Sequence, residues 1–84
     1  MSKSPYWYVY ILHCADNTLY TGITTNVERR LDEHNNNNKL AAKYTKVRRP
    51  VKLVYQEQCS SRSSSSKREA QIKKLSRKDK ENLF

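Results

Sequence analysis

Glycine is almost missing: Gly22 stands alone in a chain of 84 residues, where average usage would place about six. The fold must therefore be lean, and its one glycine marks a position where a side chain does not fit. Cysteine occurs twice, as Cys14 and Cys59, with neither CxxC spacing nor nearby paired histidines. That pattern excludes a zinc site and a disulfide framework. The two read as free thiols in a reducing cytosol, with a single bridge between them as the rarer alternative. No apolar stretch approaches the ~20 residues that span a bilayer, which argues against a membrane-inserted chain. A charged-then-apolar leader is missing as well, Met1 to Pro5 being too short for a signal peptide, so a cytoplasmic location is expected.

Acidic side chains are also scarce. Seventeen Lys and Arg face eight Asp and Glu, a formal charge of +9, and such an excess repels itself unless a polyanion is the usual neighbour. Nucleic acid is the expected partner, DNA before RNA. A basic protein that is merely soluble, or one that docks on anionic lipid, remains the alternative. The hydrophobic content of 36% against 30% charged suits a small body. A chain of this size buries only about 60 to 65% of its unfolded surface, enough for one core. One domain over residues 1–84 is expected, with its core at about residues 6–80, acting as a monomer and without a small-molecule cofactor.

Tyr6 to His13 is almost wholly aromatic or β-branched and Leu19 to Thr25 is similar, so two strands flank the turn-rich Ala15, Asp16, Asn17 and Thr18. A two-residue Asp16-Asn17 turn would leave both faces of this hairpin mixed. A three-residue loop, Asp16 to Thr18, gathers Trp7, Val9, Ile11, Leu19 and Ile23 on one face and Tyr8, Tyr10, Tyr20 and Gly22 on the other. Asn17 is the residue expected in the left-handed region. A helix should follow, with Thr25 and Glu28 in capping-box spacing. It places Val27, Arg30, Leu31 and His34 on one stripe and turns Arg29 and Glu33 to the opposite side. Asn35 to Asn38 reads as a low-complexity break and Lys39 to Arg49 as a basic loop around Tyr44. After Pro50 a third strand over Val51 to Gln56 would put Val51, Leu53 and Tyr55 on one side. A serine-rich connector, Cys59 to Ser66, then leads to a basic helix over Lys67 to Lys80, with Ile72 and Leu75 as its apolar contacts, and Leu83 and Phe84 free to pack back on the core. The order is β-β-α-β-α, an α+β domain with a small antiparallel sheet flanked by helices.

Tyr8-Val9-Tyr10, Tyr20-Thr21-Gly22 ten residues on, Arg30 eight residues after Gly22, and Glu69 in the last helix resemble the signature of the GIY-YIG endonucleases. The likeness extends through Trp7 to Leu12, Cys14 to Asp16, Lys43 to Thr45, Arg48 to Val51 and Leu53 to Tyr55, and is greatest to the short stand-alone bacterial members. It implies a three-stranded antiparallel sheet and hydrolysis of a phosphodiester by water. It also implies one divalent metal, Mg2+ or Mn2+, held by Glu69 and weakly bound before the substrate arrives. Tyr10 is then the residue that orients or deprotonates the attacking water, supported by Tyr20. Arg30 contacts the scissile phosphate, and a phenol of pKa near 10 acts as a base when cations such as Arg30 and the metal lower it. His34, one turn after Arg30, would hold the water or a phosphate oxygen. Backbone phosphates would be met by Lys39, Lys43, Tyr44, Lys46, Arg48, Arg49 and Lys73, without sequence-reading side chains in a regular array.

Each of these residues also has a plain structural reading. Strand tyrosines commonly serve as cross-strand packing. Glu69 stands three residues after Ser66, as the reciprocal half of a capping box would. An arginine on a buried stripe needs a carboxylate or carbonyl partner in any case. Two functions therefore compete, a metal-dependent endonuclease of low sequence preference and a non-catalytic nucleic-acid-binding module on the same fold. The first requires Tyr10, Tyr20, Arg30, His34 and Glu69 to converge on one concave face, with Trp7, Val9, Ile11, Leu31 and Leu53 buried behind it.

Overall fold

The structure is a computed structural model that describes residues 6–84. Three strands, β1 (Trp7–His13), β2 (Leu19–Thr24) and β3 (Lys52–Cys59), form one antiparallel sheet in the order β2-β1-β3. Four helices accompany it: α1 (Val27–Asn36) and α2 (Lys43–Lys46) between β2 and β3, then α3 (Arg62–Lys73) and α4 (Arg77–Glu81). This is the α+β arrangement the sequence implies. The most apolar segment takes the central position, so Val9, Ile11 and Leu12 are fully buried and β1 is covered on both faces.

The hairpin faces are as read from the sequence, but the turn sits elsewhere. Tyr10 lies opposite Gly22, Leu12 opposite Tyr20 and His13 opposite Leu19. The Cys14 amide donates to the Thr18 carbonyl at 2.8 Å, so the three-residue loop is Ala15 to Asn17 and not Asp16 to Thr18. Asp16 is responsible: its Oδ1 accepts from the Thr18 amide at 3.2 Å and from the Thr18 hydroxyl at 2.6 Å, a local turn that holds Thr18 at the loop's exit. Asn17 carries the left-handed φ of 69°. The register moves by two residues, and since side chains alternate with period two both faces survive the shift.

Gly22 does not occupy left-handed backbone. A β-carbon there would fall 2.5 Å from the Tyr10 hydroxyl oxygen and 2.7 Å from its Cζ. Its missing side chain is thus the space into which the Tyr10 ring lies.

Each sheet face holds its own apolar cluster. Tyr10, Leu12, Cys14 and Val51 pack with Tyr20, Leu31, Tyr44 and Leu53 beneath α1 and α2. On the opposite face Val9, Ile11 and Ile72 pack with Leu19, Ile23, Val54, Tyr55, Cys59 and Leu83, beneath α3. Leu31 and Leu53 therefore lie on the same face as Tyr10, half-buried, and Trp7 is also only half-buried. Val51, Leu53 and Tyr55 do not share a side as alternation predicts. Leu12 pairs with Leu53 while Ile11 pairs with Tyr55, so a bulge adds Val54 to β3 and sends Tyr55 to the other face. Both cysteines are free thiols, and they belong to different clusters.

Helix starts also differ from the sequence reading. α1 is capped by Asn26, whose Oδ1 accepts from the Arg29 amide at 3.0 Å, and not by Thr25; asparagine is at least as good a cap as threonine. The serine run is helix rather than connector, because Ser61 and Ser64 form a reciprocal capping box at the start of α3. Ser66 then falls inside α3, so Glu69 is not a capping partner for it. The single helix predicted over 67–80 is interrupted after Lys73, where Ser76 accepts from the Asp79 amide at 3.1 Å and starts α4. Leu83 joins the core, whereas Phe84 is exposed. Among the described residues no helix is long and apolar enough to cross a membrane.

Candidate active site

Tyr10 stands at the centre of the Tyr10 face, only 2% exposed. Its ring centroid lies 6.5 Å from that of Tyr20 and 5.9 Å from that of His34, and Tyr20 meets His34 edge-on at 5.3 Å. The Tyr10 hydroxyl is 2.8 Å from His34 Nε2, and His34 Nδ1 is 2.7 Å from Thr45 Oγ1. Burial, followed by the neighbouring Tyr20, pushes the Tyr10 phenol up to about 12, against the opposing hydrogen bond and charge of Arg30. Arg30 lowers this pKa as the sequence leads one to expect, but within the protein alone desolvation outweighs the cation, and Tyr10 is a neutral phenol at pH 7. Glu69 also acts on that phenol, raising its pKa further. Tyr20, Arg30, His34 and Glu69 are thus all close enough to Tyr10 to touch it or to shape its ionisation.

His34 is fully buried. It is not placed to hold a water or a phosphate oxygen as the sequence suggests, because both ring nitrogens are taken by Tyr10 and Thr45. Burial, reinforced by Arg30 and Arg49 against the opposing Glu33, lowers its pKa to about 4. A free imidazole titrates near 6.5, so the unfolded chain takes up this proton first. The stability gained by keeping His34 neutral is complete above about pH 6.5 and is lost as pH falls toward about 4. Urea midpoints should therefore drop between about pH 7 and pH 4.5 more steeply for the wild type than for His34→Asn. Parallel pH dependence in the two proteins would contradict this.

Arg30 has the structural partners that its stripe requires. Its Nη1 donates to Glu33 Oε1 at 3.0 Å and to the Leu40 carbonyl at 2.7 Å. Glu33 is not turned away from Arg30, since residues three apart on a helix are neighbours. It also pairs with Arg29 at 3.5 Å, and the Arg29 side chain is 56% exposed. Glu69, on α3, has its carboxylate 3.4 Å from Lys73 Nζ and is largely covered.

The basic segment is less free than its composition suggests. Tyr44 stacks on Tyr20 with centroids 5.8 Å apart, and the Arg48 guanidinium lies 3.9 Å above the Tyr44 ring. Arg48 also pairs with Asp16 at 2.9 Å. Arg49 donates to the His34 carbonyl at 2.7 Å and to Asn38 Oδ1 at 2.8 Å. Lys39, Lys43 and Lys46 are exposed, as is Lys73 on α3.

Sequence reasoning misses the residues that hold this framework. Asn35 accepts from the Val51 amide at 2.8 Å and donates to the Val51 carbonyl at 3.0 Å, pinning the end of α1 to the start of β3. Asn37 Oδ1 accepts from the amides of both Lys39 and Leu40 at 2.9 Å, and so shapes the carbonyl that Arg30 uses. What reads as a low-complexity asparagine run is a set of brackets. Thr45, fully buried in α2, is equally inconspicuous. Its only sequence signal is its place in the Lys43-Tyr44-Thr45 run.

Comparison with known proteins agrees with the fold. A family model described as the GIY-YIG catalytic domain matches residues 6–82. A UPF0213 protein of Desulfotalea psychrophila is 62% identical over 72 residues, covering 86% of this chain and 64% of that protein. This chain thus spans a little under two thirds of that relative's length. A UPF0213 protein of Syntrophus aciditrophicus is 61% identical over 84 residues, covering 100% of this chain and 92% of its own. Solution NMR structures of a UPF0213 protein from Bacillus halodurans and of a protein from E. faecalis superpose with TM-scores of 0.58 and 0.65. They are 42% and 45% identical, cover 93% and 98% of this chain, and are themselves covered over 81% and 85% of their lengths. With its fold, its paired tyrosines and a match along nearly all its length, this chain belongs to the GIY-YIG family.

Proposed function

We propose that the chain is a divalent-metal-dependent endonuclease that hydrolyses nucleic-acid phosphodiester bonds, DNA before RNA, with little regard to sequence. The observation that carries this reading is the buried hydrogen bond between Tyr10 and His34, with Arg30 on the same face and Glu69, from α3, near enough for its charge to act on the phenol. A phenol with a pKa of about 12 is a weak base only if it must first ionise. Bonded to a neutral imidazole, it can accept the proton of an attacking water while passing its own to His34 Nε2, so no free phenolate accumulates. The hydroxide formed attacks phosphorus and the 3′-oxygen leaves, taking a proton from solvent. His34, whose pKa of about 4 makes it only a transient holder, gives its proton back through Tyr10 to solvent. Nε and Nη2 of Arg30, not used by Glu33 or Leu40, offer a planar fork to the charge growing on the phosphorane.

A single carboxylate suits a magnesium ion, which keeps most of its waters and borrows substrate oxygens. Glu69 fits that role: it is largely covered and engages the solvent-exposed Lys73 at only 3.4 Å. Bound there, the ion would supply positive charge to the leaving 3′-oxygen. Glu69 would be its protein ligand, and weak affinity before substrate binds follows from having only one.

Substrate binding would rest on Lys39, Lys43, Lys46 and Lys73, with Tyr44, Arg48 and Arg49 shaping the surface from beneath through their internal contacts. These cations meet phosphates without reading bases. The log-log salt slope of binding is expected at about −3 to −6, for ~4 to 7 phosphates, and replacing Lys39, Lys43 and Lys46 together by alanine should reduce its magnitude by about 3. Incubation with plasmid, flap and single-stranded substrates, with and without Mg2+ or Mn2+, tests the activity itself. Nicks that need the metal support the endonuclease. Salt-steep binding with no cleavage of any substrate would favour a non-catalytic binding module, and a flat salt dependence would point away from nucleic acid.

A further inference from the structure

The buried hydrogen-bond chain runs one residue further than the proposed mechanism needs. Thr45 Oγ1 donates to the Ala42 carbonyl at 3.1 Å. A carbonyl has no proton to give, so the threonine's only hydrogen is committed to it. Oγ1 can then serve His34 only as an acceptor, which requires the proton of a neutral imidazole to sit on Nδ1, 2.7 Å away. Nε2 is left bare, facing the Tyr10 hydroxyl at 2.8 Å. The positive charge of Arg30 also acts on that phenol, as it would on an oxygen whose own proton points away toward His34. The directions agree along the whole row.

We propose that Thr45 is a positioning residue which, through its bond to the Ala42 carbonyl, fixes His34 as the Nδ1–H tautomer and thereby makes Nε2 the acceptor for the Tyr10 proton. This rests on the Tyr10–His34 reading given above. The placement of Thr45 supports it: the residue is fully buried, and α2 is a single short helix, Lys43–Lys46, whose start is Ala42 itself. Carbonyl and hydroxyl thus come from one turn of chain, and the tautomer is set by local structure that a substrate need not disturb. Without the hydroxyl, a buried Nδ1–H would have no acceptor, and the ring would be driven toward the Nε2–H form. In that form Nε2 donates to Tyr10 instead of accepting from it, and the phenol has nowhere to send its proton.

Long-range 1H–15N correlation spectra distinguish the protonated from the bare ring nitrogen of His34 and need neither substrate nor metal. In the wild type at neutral pH the proton should be on Nδ1. Thr45→Ser should keep it there, whereas Thr45→Val, which retains the shape but not the acceptor, should give a mixture or the Nε2–H form. Cleavage by Thr45→Val should fall by about tenfold to a hundredfold, as is usual when the orienting partner of a functional imidazole is lost, with serine restoring most of it and binding unchanged. An Nε2–H tautomer in the wild type would overturn the proposal whatever the variants do, including any that fail to fold. So would an Nδ1–H tautomer that persists in Thr45→Val. If the tautomer changes as expected while cleavage stays at the wild-type rate, Thr45 keeps its positioning role and the proton path from Tyr10 to His34 is what fails.

Discussion

Tyr10→Phe is expected to lower the rate of cleavage by ~10² to 10⁴, the range that a positioned proton acceptor contributes, while leaving nucleic-acid affinity nearly unchanged. The substitution removes one oxygen and keeps the ring that lies over Gly22 and packs near Tyr20. The fold should survive, since the cost is that of one buried hydrogen bond, about 1 to 3 kcal/mol for the partner left unsatisfied. That partner is His34 Nε2. Tyr20→Phe supplies the comparison. The Tyr20 ring meets His34 edge-on and stacks on Tyr44, so its packing persists without the hydroxyl and the loss should be the smaller of the two. Substrate titration separates the effects: Tyr10→Phe should act on kcat with KM little altered, the mark of an interaction made in the transition state. A Tyr10→Phe protein that cleaves within a few-fold of wild type would exclude Tyr10 as the proton acceptor.

Much of this site is legible in the sequence, and the reason is period two. The faces of β1 and β2 follow from alternation alone, so Tyr10, Tyr20 and Gly22 are placed together even though the turn lies away from its expected position. An error of one residue in register would reverse them. Arg30 and His34 follow in the same way from the helical stripe. What is not legible depends on contacts between segments distant in sequence. The Val54 bulge that sends Tyr55 to the opposite face exists only relative to β1. The bonds of Asn35 to Val51, of Arg48 to Asp16 and of Arg77 to the Asn17 carbonyl join residues between 16 and 60 positions apart, and composition shows none of them. The asparagine and serine runs mislead for a related reason. Small polar side chains count as breakers when considered singly, yet here they are caps and brackets that hold α1, α2 and α3 in place. The pKa of Tyr10 escapes a reading from sequence because charge is visible there and burial is not, and the desolvation of a nearly inaccessible phenol is the larger effect.

Arg29 and Arg30 test geometry and mechanism together, because they are adjacent, carry the same charge and share Glu33. They differ by about 100 degrees around α1. Were charge alone at work, their alanine variants would behave alike. Arg29 lies in solvent, so Arg29→Ala should cost under about 1 kcal/mol in stability and change the rate only a few-fold. Arg30→Ala should lower cleavage by ~10² to 10³ with binding nearly intact, as for other preorganised donors to a transition state. Arg30 also ties α1 to the Leu40 carbonyl, so a loosened loop is a second route to lost activity. Arg30→Lys separates the two. An ammonium can reach a carbonyl and a carboxylate and so hold the loop, but it lacks the planar fork that would meet two phosphorane oxygens. The lysine variant should therefore approach wild-type thermal stability while recovering little of the rate. Full rescue by lysine would reduce Arg30 to a structural tie, and equal losses at the two positions would reduce it to one positive charge among many.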